Sequence, residues 1–391
     1  MNTIINKSFF RALIAVALAV MLIVPASVHT ARADDDADLE RVDFFLTFIP
    51  NIQFAPIYVM DGLLRERGYY LDIQYLDENI GVDLLANNSL SFGIASGEQV
   101  IMARAAGRPV VYVYQWFQQF PVGIVIPDTT DAQTMTDLTG LRVGVPGRFG
   151  ANYAGLTAAL NVSGMSEDDI RLESIGFAAP DVICAGGVDA AAVYVNNEPF
   201  QIQQRADRGE CGDVSAVTVL PVSDYGDIVS NGLVTNEVTI ADDPEWVALM
   251  VETFDAALRL SINNPALAYL SSAAYVDDLP LDDALRDHLS ALAEAQADFL
   301  SESPDRDDIA ASREAMADAL REAHDAETLV QFEVFLLTID LWDAEVPGTM
   351  SADAWTFTRD LIESMGDLVA PLDDDALSRA YTADFLPVDE A

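Results

Sequence analysis

The chain has 391 residues, 51% hydrophobic and 21% charged, a balance that excludes a disordered chain. Its 64 acidic residues outweigh 20 basic ones for a net charge of −44, a field that repels nucleic acid and anionic membrane surfaces. Two cysteines and three histidines are too few for a convincing transition-metal centre, no calcium-loop pattern is visible, and no resident cofactor is expected.

In chain order, Lys7 and Arg11 precede the apolar run "ALIAVALAVMLIV" (12–24), and "ARA" (31–33) follows it. That succession predicts an export signal cleaved after Ala33. The run is shorter than the roughly 20 apolar residues a spanning helix needs. No Cys stands at the junction, so no lipid anchor is expected. The mature chain, 34–391, keeps all 64 acids against 17 Arg, a net of −47, and at 358 residues it is long for one core. Two lobes are the expectation. Export also makes a Cys184–Cys211 disulfide plausible, although a chain this large does not need one.

Strand and helix signals then alternate. "RVDFFLTFI", "YYLDIQYLD", "LSFGIAS" and "PVVYVYQWF" read as strands. "APIYVMDGLLRERG", "GVDLLANNS" and "GEQVIMARAAGR" read as the helices between them. After the strand "VGIVIP" a second series begins, with strands "LRVGVPG", "IRLESIGF" and "VDAAAVYV" and helices "ANYAGLTAALNVSG", "APDVICAGG" and "NEPFQIQQRADRG". "NGLVTN" reads as a strand returning to the first sheet. From "ADDPEW" onward the pattern is helical. The expected class is α/β, with parallel or mixed sheets flanked by helices on both faces. The expected boundaries are lobe one at 34–123, lobe two at 124–232, and the return with the C-terminal helices at 233–391. Two crossings between lobes, near Ile124 and Leu233, imply a hinge and a cleft.

Five segments, "FIPNIQFAPIYV", "FGIASGEQVIMARAAGRPVVYVYQW", "LTGLRVGVPGRFGANY", "VDAAAVYVNNEP" and "AYTADFLP", together resemble one family. It is the type II periplasmic substrate-binding proteins of ABC importers, in the branch that binds thiamine pyrimidines and riboflavin. The resemblance spans nearly all of the mature chain. It implies two α/β lobes, a cleft closing on a small molecule, and a membrane permease as partner for a monomeric receptor outside the cytoplasmic membrane.

Candidate ligand residues follow from strand ends, where such sheets bind ligands. Phe48, Asn51 and Gln53 lie at the first strand-to-helix turn, Ser96 at the end of "LSFGIAS", and Trp116 and Phe117 beyond "VVYVYQ". Arg148, Phe149 and Tyr153 belong to the "PGRFGANY" turn, whose free N–H groups favour an acceptor. Tyr194 and Glu198 lie in "YVNNEP", and Tyr225 precedes the return strand. Each has a second reading. Asn51 can cap a helix, Trp116 and Phe117 can be core, the glycine turn can be structural, and Glu198 can be a surface or capping acid.

Uncharged amides flanked by aromatic rings suit a flat, neutral heterocycle. The aromatic number favours riboflavin. A formylated aminopyrimidine, held by Glu198 through its amine, is the alternative, and a sulfonate or nitrate would call for more arginine than Arg148 alone. A pyrimidine synthase that consumes its own histidine shares this fold, but it needs a His in the cleft and clustered Cys, and this chain offers neither pattern. No catalytic residue is expected. A detached sensor receptor is a further possibility that these residues leave open.

Overall fold

The computed structural model describes residues 38–47 and 49–387, so the expected export signal and the candidate Phe48 lie outside the described residues. Two five-stranded sheets carry the α/β part. The first contains β1 (Glu40–Thr47), β2 (Tyr69–Leu76), β3 (Phe92–Ser96), β4 (Val110–Gln115) and β10 (Asn231–Asn236), in the order β2-β1-β3-β10-β4. The second contains β5 (Val122–Pro127), β6 (Arg142–Val145), β7 (Arg171–Ser174), β8 (Ala190–Tyr194) and β9 (Val217–Pro221), in the order β7-β6-β8-β5-β9.

Both sheets are mixed. β1 runs parallel to β3, and β10 is antiparallel to both β3 and β4. β6 is parallel to β7 and β8, and β5 is antiparallel to β8 and β9. The chain leaves the first sheet after Gln115, enters the second at Val122, leaves it after Pro221 and rejoins the first at Asn231. The joining strand "NGLVTN" is buried at all six positions. That is the pattern of a central strand covered on both faces.

Helices α1 (Ala55–Arg65), α2 (Glu78–Ala86) and α3 (Gly97–Ala105) connect the first strands. α4 (Gly150–Val162), α5 (Ala179–Cys184) and α6 (Glu198–Asp207) belong to the second series. α7 (Glu237–Asp242), α8 (Pro244–Asn263), α9 (Pro265–Ser272), α10 (Asp283–Ser301), α11 (Arg306–Ala323), α12 (Ala326–Trp342), α13 (Ala352–Met365) and α14 (Asp374–Ser378) complete the chain. Among the described residues no helix is long and apolar enough to cross a membrane.

The chain divides into two compact units. The larger comprises Arg41–Pro50, Leu71–Ala256 and Glu333 onward, and it contains nearly all of both sheets. Glycine decides its packing in places. A Cβ on Gly81 of α2 or Gly93 of β3 would stand 2.3 or 2.0 Å from the ring of Phe45, so these two glycines make the slot for that side chain. Phe45, Tyr112 and Trp355 then share one core on the first sheet. The second sheet has a core on each face, one around Ile124 and Leu156, the other around Val125, Ile202 and Cys211.

The smaller unit is helical, built mainly from Asn51–Tyr70 and Ala257–Phe332. Tyr58 stacks on Tyr275 with centroids 4.3 Å apart. The buried carboxylate of Asp61 takes Arg65 Nε at 2.8 Å and the Tyr275 hydroxyl. Asn264 caps α9 through Leu267 N–H and donates to the Ala293 carbonyl of α10 at 2.9 Å.

Cys184 and Cys211 are bonded, tying the end of α5 to the loop after α6 across a separation of 27 residues. A closed loop of that size removes denatured-state entropy worth about 3 kcal/mol. The double substitution C184A/C211A, which leaves no stray thiol, should lower the unfolding free energy by about that amount in urea titration.

Candidate functional site

The site is built around Ser96. Its backbone N–H and its hydroxyl both donate to Oε1 of Glu78, each at 2.6 Å. Glu78 opens α2 and Ser96 precedes α3, so a single carboxyl oxygen joins two helix starts at the end of β3. The return strand pairs at the same point, with Asn231 opposite Ser96 and the Gly97 N–H donating to the Ser230 carbonyl at 3.1 Å. Tyr112 adds its hydroxyl to that same carbonyl at 3.0 Å. The Asn231 carbonyl accepts the N–H groups of Trp116 and Phe117, both at 3.1 Å.

The second sheet contributes from its own strand ends. A Cβ on Gly150, at the start of α4, would lie 3.4 Å from Oε2 of Glu78. Gly150 has φ +66°, which glycine adopts without strain. At the end of β8, the Tyr194 N–H donates to Oε2 of Glu198 at 3.0 Å. Tyr194 also stands edge-on to Phe117, with centroids 6.2 Å apart.

Three carboxyls in this cluster resist ionisation. Burial raises Glu78, and the two Ser96 bonds offset part of the rise. Burial, then the neighbouring charge of Glu78, pushes Glu98 up to about 8. Part of Glu198 still reaches solvent, yet the protein massed around it raises it to about 7, against the pull of its own and Tyr194's N–H groups. Tyr194 is raised by burial and then by the charges of Glu78, Glu98 and Glu198.

The sequence candidates are distributed as follows. Ser96, Tyr194 and Glu198 belong to the cluster. Trp116 is 1% exposed, packed against Phe117, Trp342 and Phe254 with centroids 5.0, 5.4 and 6.0 Å away. Phe117 is buried beside it. The Arg148 guanidinium pairs with Glu167, whose other oxygen takes the Tyr153 hydroxyl at 2.9 Å. Phe149 is 40% exposed, its ring against Gly147. Tyr225 lines a cavity of about 400 Å³ with Gln118, Phe120 and Asp227, on the two segments that pass between the sheets. Asn51 and Gln53 lie in the helical unit, where Asn51 Oδ1 accepts the Gln53 N–H at 2.8 Å as cap of a single 3-10 turn.

Glu78, Glu98, Asn152, Ser230 and Asn231 were not among the candidates. The signal that could have found the last two was available, since polar residues at the buried end of a strand mark a ligand edge in such sheets. Both oxygens of Glu98, Ser230 Oγ, Asn231 Oδ1 and Asn152 Oδ1 are buried with no hydrogen-bond partner. Neither cysteine belongs to the site, and no grouping of three or more metal-ligating side chains occurs among the described residues.

Two outcomes follow from this geometry. Trp116→Ala should cost about 3–5 kcal/mol of stability in urea titration, because its ring is core. A carboxyl raised in the folded state keeps its proton where the unfolded chain has lost it, so its contribution to stability falls as pH rises. For Glu98 the fall runs from about pH 4.5 to about pH 8. Wild type compared with E98Q in denaturant titrations should therefore lose relative stability across that window, by up to a few kcal/mol, and level off above it.

Comparison with known proteins places the chain. Residues 51–268 match the family described as NMT1/THI5 like. The riboflavin-binding protein RibY of Chloroflexus aurantiacus is 28% identical over 375 residues, covering 93% of this chain and 91% of that protein. A formylaminopyrimidine-binding protein of Halalkalibacterium halodurans is 27% identical over 275 residues, covering 66% of this chain and 79% of its own. The alkanesulfonate-binding protein SsuA from Xanthomonas axonopodis pv. citri, solved bound to MOPS, superposes with a TM-score of 0.56 over 88% of this chain and 99% of that one. Its 16% identity makes this a likeness of fold, that of the periplasmic binding proteins. With more than half its length matched, the chain belongs to the NMT1/THI5-like family.

Proposed function

We propose that this protein is the extracytoplasmic substrate-binding component of an ABC importer, and that its cargo is a flat, uncharged heterocycle, with riboflavin the first candidate. The observation that carries the reading is the charge character of the cluster at Ser96. Its described ionisable groups are carboxyls and tyrosines raised by burial, and the arginine of the nearby glycine turn is engaged by Glu167. A nitrate or sulfonate would need cationic or bidentate donors there. A neutral heterocycle needs paired donors and acceptors, which carboxyl, amide and hydroxyl groups supply.

The relatives support the same class, since one is named for binding riboflavin and another for binding formylaminopyrimidine. The aminopyrimidine is the second reading, favoured by Glu198 at the start of α6, where a raised carboxyl would face a ring amine. The catalytic reading has little support from these residues. The two described histidines, His288 and His324, face each other at 3.1 Å in the helical unit. Export by the N-terminal signal, a monomeric receptor and delivery to a permease complete the proposal.

Calorimetric titration of the mature protein with riboflavin, a formylated aminopyrimidine and taurine tests it. One of the two heterocycles should bind, and Glu198→Ala should weaken that binding roughly tenfold to hundredfold. Binding of taurine alone would overturn the reading.

A further inference from the structure

Glu98 is the buried acid that the fold leaves without a task. It is 2% exposed, and neither of its oxygens has a hydrogen-bond partner. Other buried acids of the chain differ. Glu78 accepts two bonds from Ser96, Asp255 takes the Tyr114 hydroxyl at 2.8 Å, and Asp61 takes Arg65. A fold seldom buries a carboxyl with nothing to bond it, because the lost hydration is not replaced. Ser230 Oγ and Asn231 Oδ1, also without partners, lie at the entry to β10, where the Ser230 carbonyl holds the N–H of Gly97, next to Glu98 in the chain. Unsatisfied groups gathered at one strand end mark where a polar ligand edge is received.

We propose that Glu98 is a ligand-recognition residue that reads an edge of the heterocycle presenting one donor beside one acceptor. This rests on the reading of the protein as a heterocycle receptor. A lactam or imide edge has that form, and so does a ring nitrogen beside an amino group.

The proton's place follows from the geometry. Glu78 spends Oε1 on two Ser96 donors, which favour its ionised form, so a proton shared by the two acids resides on Glu98. A protonated carboxyl offers one O–H donor and one carbonyl acceptor, whereas a carboxylate offers acceptors only. The Ser96 hydroxyl and Glu98's own N–H pull toward the ionised form, but burial and the charge of Glu78 outweigh them. Glu78 on α2, Tyr112 on β4 and Tyr194 on β8 interact with Glu98 electrostatically, and Glu198 acts on the same Tyr194. The cations of the elements packed on α3 are engaged elsewhere. Arg359 of α13 is held by Asp360 and Asp374, Arg379 after α14 by Asp375, and Arg104 of α3 itself by Glu237. Nothing cationic among them draws the proton from Glu98.

The test titrates riboflavin and, separately, a formylated aminopyrimidine into the mature wild type, E98A and E98Q between about pH 6 and about pH 9, with folding checked by circular dichroism. Glutamine keeps one donor and one acceptor but cannot ionise. E98A should bind roughly tenfold to hundredfold more weakly, and E98Q should restore most of that loss at neutral pH. Wild-type affinity should fall above about pH 8, where Glu98 ionises, and E98Q should lack that step while keeping any change near pH 7 that belongs to Glu198. A purely structural Glu98 would leave the pH profiles of folded wild type and E98Q parallel. That result, or E98A binding as tightly as wild type, overturns the assignment. If E98A does not fold, the pH profiles of wild type and E98Q decide alone. A wild type that binds neither compound overturns the functional reading and this assignment with it, whereas one that binds without regard to Glu98 overturns only the assignment.

Discussion

The single oxygen Oε1 of Glu78, with two Ser96 donors on it, is the fixed point of the site. It stands in a buried, low-dielectric setting, where a hydrogen bond is stronger than in water and where losing a partner leaves a buried polar atom unsatisfied. The bond joins the starts of α2 and α3, and the pairing of Asn231 with Ser96 brings the return strand to the same place. Trp116 and Phe117 then hang from the Asn231 carbonyl, so the exit toward the second sheet is set by the strand that comes back from it. Two passages of the chain that are distant in sequence are thereby locked to one residue.

Much of this was legible in the sequence, and the reason is burial on both faces. A strand covered on two sides reads as a nearly unbroken apolar run, as "VGIVIP" does over β5, while "NGLVTN" coincides with β10 through a short apolar centre between polar ends. The glycines and prolines between such runs mark the turns. The acids were not legible, because their meaning depends on tertiary surroundings. "LDENI" reads as a polar connection before a helix at Gly81, but the helix begins at Glu78, and an acid in a first turn usually faces water and favours the helix dipole. Glu98, in the first turn of α3, has the same disguise. Trp116 fits a ligand wall or a core equally well from sequence. What distinguishes them is Trp342, at the end of α12, and Phe254, in the middle of α8. Arg148 shows the same dependence, since its partner Glu167 lies beyond the whole of α4.

The site has a stability cost built into it. Carboxyls held away from water, some with unsatisfied oxygens, are less favourable in the folded chain than apolar groups of the same size. Functional sites commonly hold such tension, since a ligand that supplies the missing bonds then stabilises the folded form by mass action. A cluster with Glu78, Ser96 and Glu98 from the first sheet and Tyr194 and Glu198 from the second draws on both, so an edge that satisfies it is felt on either side of the two connecting segments.

Charge acts on ligand choice at two ranges. The chain's excess of acids produces a negative field that opposes the approach of anions, although salt screens it beyond a Debye length of about 8–10 Å. Within the site, screening is weak and the groups are nearly neutral, so discrimination there passes to hydrogen-bond pattern. A neutral heterocycle meets neither obstacle. It would cross the anionic field without penalty, and it would exchange its water shell for carboxyl, amide and hydroxyl partners. An anion of the same size would lose at both stages, first to the field and then to a cluster of acids that its charge would push still further from ionisation.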